Sequence, residues 1–235
     1  MKVLAINGSP HMDEGNTALI LNPFLEGMKE VGAEVELFYT RKLDVKPCNG
    51  DMSCWLKNPG ECIIKDDMQA LYPKFREADV MVYATPVYYA GMSGPMKNLM
   101  DRLLPLHLPG QERDKKQSTV LVSTCGFWKL DMFEPLLAQM KAISQGEEED
   151  PKAVFAGALL RPHADCMREL MKTKEGRALT DEVVEASKEV GRQMAKYGRM
   201  SEDTLKGVSA ELMPQEAYDE AAQELFEQIC ESMKR

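Results

Sequence analysis

Lys2-Val3-Leu4-Ala5-Ile6-Asn7-Gly8-Ser9-Pro10 is the stretch on which the fold turns. Lys2 to Ile6 is a short apolar run, and the Asn-Gly-Ser-Pro behind it cannot continue one, so the segment predicts a buried strand breaking into a loop. Beyond that loop, Leu19, Ile20, Leu25 and Met28 recur at helical intervals, predicting a helix from Asn16 to about Val31 with Gly32 at its end and Pro23 in its first half. Glu34 to Phe38 (EVELF) then alternates as a strand does. The same strand–loop–helix unit recurs down the chain. Asp66 is placed to cap a helix over 67–77, and Ala78 to Thr85 (ADVMVYAT) reads as a central strand ended by Pro86. A helical run follows Ser93-Gly94-Pro95 to about Leu104, and Thr119 to Thr124 is a further strand. Asp131 to about Ser144 is helical, Ala153 to Leu160 (AVFAGALL) is a fifth strand, and Thr180 to about Tyr197 is a helix with Val183, Val184, Ser187, Val190 and Met194 on one face. Five strands alternating with helices imply an α/β fold: a doubly wound parallel sheet of order 2-1-3-4-5, binding ligands beyond the carboxyl ends of its strands.

This pattern occupies residues 1–200. Residues 201–235 form a C-terminal helical extension, in which Pro214 opens a helix with an apolar stripe of Tyr218, Ala222, Leu225, Ile229 and Met233. Between the second and third strands, Thr40 to Lys65 has no period and carries three of the six cysteines, which marks it as a functional or a disordered insertion. The acidic run Glu147 to Asp150 reads as a solvated loop.

Twenty-nine Lys and Arg against 38 Asp and Glu leave a formal charge of −9, which argues against a nucleic-acid surface. No apolar run approaches the ~18 residues of a membrane span. The apolar stretch at the N-terminus is too short for a signal peptide, so a cytoplasmic location is expected. Six cysteines in 235 residues are too sparse for a disulfide scaffold, leaving free thiols, a metal site or redox chemistry.

Three strand ends carry candidate chemistry. In the first, Gly8 to Thr17 sets Ser9, Pro10, His11, Gly15, Asn16 and Thr17 at a helix N-terminus, where free amides and the helix dipole favour an anion. Ser9 or Asn16 acting only as a helix cap explains the same residues. The segment lacks both the Gly-Lys-Ser/Thr of a triphosphate loop and a G-x-G-x-x-G, so a monophosphate suits it better. In the second, Pro86, Val87, Tyr88 and Tyr89 place two tyrosines where they flank a planar ring or simply cover the sheet edge. In the third, Thr124, Cys125, Gly126 and Phe127 combine a glycine that admits close backbone approach with aromatics that close a pocket. Arg161-Pro162-His163, past the fifth strand, lies on the same side, where it is placed to meet substrate or a partner, and a solvated turn is the favoured reading.

The GSPH…GNT loop, Asp66-Asp67-Met68, and above all T-P-V-Y-Y…S-G-P-M-K-N-L-M-D-R from Thr85 to Arg102 resemble the NAD(P)H-dependent FMN reductase and iron-sulfur flavoprotein family over about residues 1–165. The resemblance implies a flavodoxin-like fold and noncovalent FMN. Its phosphate would be held by Ser9, His11, Asn16 and Thr17, with Pro10 and Gly15 shaping the loop. Its ring would lie against Pro86 to Tyr89 and Thr124 to Phe127. Lys97, Asp101 and Arg102 belong to the motif but carry no catalytic role, because the flavin itself carries the redox chemistry. The implied activity is ping-pong reduction of a small electron acceptor (quinone, free flavin or nitroaromatic) with NAD(P)H as co-substrate, in a homodimer or homotetramer. The alternative is an electron-transfer flavoprotein serving a protein partner.

Iron-sulfur members of that family carry a C-x2-C-x2-C-x5-C run. Here the loop reads Cys48-Asn-Gly-Asp51-Met-Ser-Cys54, then seven residues, then Cys62. A [4Fe–4S] cluster normally takes four thiolates, whereas this loop offers three and a carboxylate, a substitution some ferredoxins use. The expectation is a loop without a stable cluster, folded over the flavin as a lid.

Overall fold

The structure is a computed structural model that describes residues 1–108, 115–144 and 153–232. In chain order its elements are β1 (Lys2–Asn7), α1 (Asn16–Glu30), β2 (Glu34–Tyr39), α2 (Ser53–Leu56), α3 (Met68–Glu77), β3 (Val80–Pro86) and α4 (Gly94–Asp101). There follow β4 (Gln117–Thr124), α5 (Glu134–Ser144), β5 (Ala153–Arg161), α6 (Ala164–Leu170), α7 (Lys174–Tyr197), α8 (Glu202–Val208) and α9 (Gln215–Ser232). The strands form one sheet in the order β2-β1-β3-β4-β5, parallel throughout, as the sequence pattern predicts.

Alternation along each strand divides the core. Val3 and Ala5 of β1, Val80, Val82 and Ala84 of β3, and Val120 and Val122 of β4 face a layer of α1, α6, α7 and α8. Leu4 and Ile6, Met81 and Tyr83, and Leu121 face α3, α4 and α5. Side chains of period two thus build two cores from one set of strands. In the first layer α1 and α7 touch backbone to backbone. A Cβ on Gly27 would lie 1.9 Å from the Lys188 carbonyl oxygen, and one on Gly191 would lie 2.0 Å from that of Phe24. Glycine is required at both places for the helices to approach this closely.

Several elements differ from the sequence reading. β3 includes Pro86, whose missing amide is harmless because the last rung pairs it with Thr124 at the end of the ladder. The helix expected to run to Leu104 stops at Asp101, with a single 3₁₀ turn at Leu104–Leu106 beyond it. α7 begins at Lys174, six residues before the expected Thr180, because the Thr173 hydroxyl caps it by accepting the Gly176 amide at 3.0 Å. α6 and α8 are seven residues each, too short to show a period. Glu147 to Asp150 lies outside the described residues, as do Met233 and the side chains of Leu225 and Ile229.

The residues after Ser201 fold back on the sheet. Val208 and Leu212 join the first core, and the Ser209 hydroxyl donates to the Leu160 carbonyl at 2.7 Å. The chain then reaches the carboxyl edge, where Tyr218 of α9 meets the loop after β4.

Candidate functional site

The carboxyl ends of β1, β3 and β4 are tied together before any side chain reaches solvent. The Gly8 amide donates to Ala84 (2.7 Å), the Val87 amide to Thr124 (2.9 Å) and the Cys125 amide to Arg161 (3.1 Å). The Ser93 hydroxyl donates to the Gly8 carbonyl at 2.7 Å, and Ser123 to that of Thr85 at 2.8 Å. Between these ends lies a cleft of about 380 Å³, within the usual range for a small-molecule site. Of the residues the sequence singles out, Ser9, His11, Gly15, Asn16, Thr17, Pro86, Val87, Tyr88, Thr124, Cys125 and Gly126 line it together. Pro10, Tyr89 and Phe127 do not; Tyr89 and Phe127 are exposed, each next in sequence to a lining residue. A wider hollow of about 1000 Å³ opens around Lys97, Met100 and Gln139. Its rim includes Leu108, Lys115 and Ser144, next in sequence to residues outside the described ones, and none of the loop residues predicted for the site lines it.

The first loop is held by its own polar atoms. Asn7 Oδ1 accepts the Ser9 amide at 2.8 Å, and Ser9 Oγ accepts that of His11 at 3.3 Å. A Cβ on Gly15 would come within 2.4 Å of Ser9 Oγ, so any other residue there would push the Ser9 hydroxyl away from the His11 amide. No side chain caps α1, which leaves its first amides directed at the cleft. Thr17 is buried, with its hydroxyl 3.0 Å from that of Thr124. Asn16 is not a cap either: its Nδ2 donates to Asp165 Oδ1 (2.5 Å), and its Oδ1 accepts Arg168 Nε (2.7 Å). Asp165 and Arg168 stand on α6 and also line the cleft. Sequence reasoning missed both, and the only local sign of them was a short polar and apolar mixture after β5.

The other two loops build the far wall. Tyr88 and Gly91 exchange backbone hydrogen bonds of 2.9 and 3.1 Å across a tight turn, with Tyr89 and Ala90 at φ +50° and +60°. Two non-glycine residues in the left-handed region cost about 1 kcal/mol each, and this turn projects the Tyr89 ring wholly into solvent. Beyond β4, Cys125 is buried, which pushes its thiol up in pKa. The Trp128 ring stacks on His163 with centroids 4.4 Å apart, and the Tyr218 hydroxyl donates to the Gly126 carbonyl.

Arg161-Pro162-His163 is not a solvated turn: Arg161 and His163 are 0% and 1% exposed. Arg161 Nη1 donates to the carbonyls of Val208 (3.0 Å) and Ala210 (2.7 Å), Nε to that of Pro162 (2.9 Å), and Nη2 meets His163 Nε2. Burial lowers the Arg161 guanidinium to about 10. Burial first, then the Arg161 charge, lowers His163 to about 4, so it is neutral at pH 7.

A family model for NADPH-dependent FMN reductases matches residues 1–144, more than half of the chain. The chain belongs to that family. Among curated proteins, an iron-sulfur flavoprotein of Methanocaldococcus jannaschii is 39% identical over 122 residues, covering 52% of this chain and 62% of its own. One from Archaeoglobus fulgidus is 41% identical over 102 residues, 43% and 48% of the two chains. The chain thus spans about half to three-fifths of the length of these curated relatives. Among solved structures, an NAD(P)H:quinone oxidoreductase from Methanothermobacter marburgensis superposes with a TM-score of 0.61 at 14% identity, over 84% of this chain and 98% of that one. A flavone reductase gives 0.58 at 21%, over 83% and 62%. At such identities the likeness is one of fold, and that fold is flavodoxin-like.

For this member of the FMN reductase family, the residues present fit a phosphorylated flavin. Arg168 Nη2 is buried with no hydrogen-bond partner, and Gly15 keeps the cradle beside it open to a ligand rather than filled by a side chain. The cysteine loop of this reductase-family chain fits a [4Fe–4S] cluster poorly. Asp51 Oδ1 accepts the Ser53 amide at 2.8 Å, and the Ser53 hydroxyl first, then this amide, hold the carboxyl below the usual range. Cys48 is exposed, while Cys54 and Cys62 are half-buried. Burial, then the neighbouring Cys62, Cys48 and Asp51, pushes the Cys54 thiol up. Among the described residues no three His, Cys, Asp or Glu side chains gather closely enough to hold a metal ion. What anchors this loop is Arg102. Its guanidinium and the Asp66 carboxylate, both 0% exposed, meet at 2.6 and 3.1 Å, and Arg102 also donates to the carbonyls of Lys46 (2.8 Å) and Ile64 (3.2 Å). Lys97 and Asp101 form an exposed pair on α4 at 2.5 Å, so none of the three motif residues faces the cleft.

Proposed function

We propose that the protein is an FMN-dependent NAD(P)H oxidoreductase that reduces a small electron acceptor such as a quinone, a free flavin or a nitroaromatic compound. The observation that carries the proposal is the convergence, in one cleft, of an uncapped helix N-terminus with two loops suited to a planar ring. Ser9, His11, Asn16 and Thr17 would hold the phosphate, with Pro10 and Gly15 shaping the loop. Pro86 to Tyr89 and Thr124 to Phe127 would flank the ring. Bound there, FMN supplies the hydride and electron chemistry, accepting from the nicotinamide and donating to the acceptor in ping-pong order. The chain's own part is to bind and orient. Val87 and Thr124 are locked to one another by backbone hydrogen bonding, and Tyr218 fixes the Gly126 carbonyl, so the ring wall is rigid before a ligand arrives. Tyr89 and Phe127, exposed and next in sequence to the lining residues Tyr88 and Gly126, would offer apolar contact to an incoming aromatic acceptor.

The family and its named relatives support a flavin oxidoreductase. The iron-sulfur names among those relatives keep electron transfer to a protein partner as the rival reading, and one experiment separates the two. FMN-loaded protein is mixed anaerobically with NADH or NADPH in a stopped-flow instrument. Loss of the flavin band with either nicotinamide is expected. If neither bleaches it while reduced ferredoxin does, the protein is an electron carrier. A homodimer or homotetramer, which the family resemblance implies, is part of the proposal, and a monomer mass by light scattering at micromolar concentration would end it.

A further inference from the structure

We infer that Arg168 of α6 is the cation that selects the phosphorylated flavin, and that Asp165 and Asn16 act as the latch that aims it. The inference rests on the FMN reading of the cleft and deepens it. Among the described residues, the ionisable side chains that line the cleft are His11, Glu14, Tyr88, Cys125, Asp165 and Arg168, and Arg168 is the one permanent cation of that set. Glu14 and Asp165 in the cleft of a chain of net charge −9 repel a phosphate dianion, so a fixed positive charge there strengthens the hold on one. The α1 N-terminus supplies only partial charge.

Arg168 is poised for that role. Nε and Nη2 share one edge of the guanidinium, the edge that grips two oxygens of a phosphate or carboxylate. Nε is committed to Asn16 Oδ1 at 2.7 Å, whereas Nη2, on the same edge, is buried with no partner. An unsatisfied donor on a charged group is the kind of vacancy that an anionic oxygen fills. Asp165 makes the aim specific. By accepting Asn16 Nδ2 at 2.5 Å it fixes which end of the Asn16 amide turns toward Arg168. Its other oxygen, Oδ2, sits where a Cβ on Gly126 would lie 2.8 Å away, so a larger residue at the head of the ring loop would displace the carboxylate. The latch therefore links α1, α6 and the loop after β4. Asp165 and Arg168 both fall beyond residue 144, where the family match ends.

The test is a titration of apoprotein with FMN and with riboflavin, followed by flavin fluorescence, for wild type, Arg168→Met, Arg168→Lys and His11→Ala. Arg168→Met should weaken FMN binding about a hundredfold and leave riboflavin within about twofold, because only FMN carries the anion. Arg168→Lys should recover part of the loss, as a point charge without the fork. His11→Ala, which removes one proposed phosphate contact but no permanent charge, should lower the FMN-to-riboflavin ratio by less than Arg168→Met does, and an equal or larger fall would take the selecting role from Arg168. Equal losses for both ligands in Arg168→Met would assign Arg168 a merely structural role and overturn the inference, as would an unchanged FMN affinity. If the methionine variant does not fold, the lysine variant decides: wild-type preference for FMN there supports a charge role, and loss of both flavins alike refutes it. Wild-type protein that binds neither flavin overturns the reading of the cleft and this inference with it.

Discussion

Replacing Asp66 with asparagine tests whether one buried ion pair holds the cysteine loop to the sheet. Each Asp66 oxygen accepts one guanidinium N–H and one backbone N–H: Oδ2 from Arg102 Nη1 (2.6 Å) and Lys46 (3.0 Å), Oδ1 from Arg102 Nη2 (3.1 Å) and Met68 (3.1 Å). In either orientation the asparagine NH₂ would face two donors, and the Arg102 charge would remain buried without a counter-ion. Breaking such a pair costs about 3–5 kcal/mol, which for a chain of this size lowers the melting temperature by roughly 10 °C. The internal control is Asp101→Asn, whose partner Lys97 is about as exposed as Asp101 itself, and which should cost no more than about 0.5 kcal/mol. Urea unfolding followed by circular dichroism gives both numbers, provided the slopes match. The pH dependence supplies a second check. Burial alone would raise the Asp66 pKa, but Arg102 and the amides of Lys46 and Met68 outweigh it and hold the carboxyl below 3.8. A depressed folded pKa stabilises above the unfolded value and is lost as pH falls through the folded one, so the gap between wild type and variant should narrow only in strong acid. A cost for Asp66→Asn below about 1 kcal/mol, no different from Asp101→Asn, would refute the argument.

His163 should make the protein acid-sensitive over a higher window. Its pKa falls from 6.5 to about 4 on folding, so the unfolded chain binds the proton first, and stability should decline from pH 6.5 to about 4 by about 3 kcal/mol. In His163→Asn, which tolerates the left-handed backbone at φ +38°, that slope should vanish; an unchanged slope in the urea midpoints would place the titration elsewhere. The three-thiol loop should leave anaerobically prepared protein with iron well below cluster stoichiometry. Near-stoichiometric iron and sulfide, lost in Cys54→Ala, would instead favour the electron-transfer reading.

Sequence alone determined the five-strand parallel order and the three loops that converge on the cleft. Those features are written in local pattern: continuous apolar runs in β1 and β3, alternation in β2, a 3.6-residue stripe in α1 and α7, and Gly-Ser-Pro, Pro and Cys-Gly punctuation at the ends of β1, β3 and β4. Asp66 was legible as a helix cap but not as the counter-ion of Arg102, 36 residues away. Tertiary structure decided which polar groups meet. Asn16 pairs with Asp165 and Arg168 across 149 and 152 residues, and Tyr218 reaches Gly126 across 92. Arg161 is buried rather than solvated because the chain returns through Val208 and Ala210 to offer it carbonyl oxygens. A polar residue's burial depends on whether distant partners satisfy its hydrogen bonds, and neither composition nor period records where those partners will stand. α6 makes the point at the site itself, because seven residues are too few for a readable stripe and only the packed sheet brings its carboxylate and guanidinium to the end of α1.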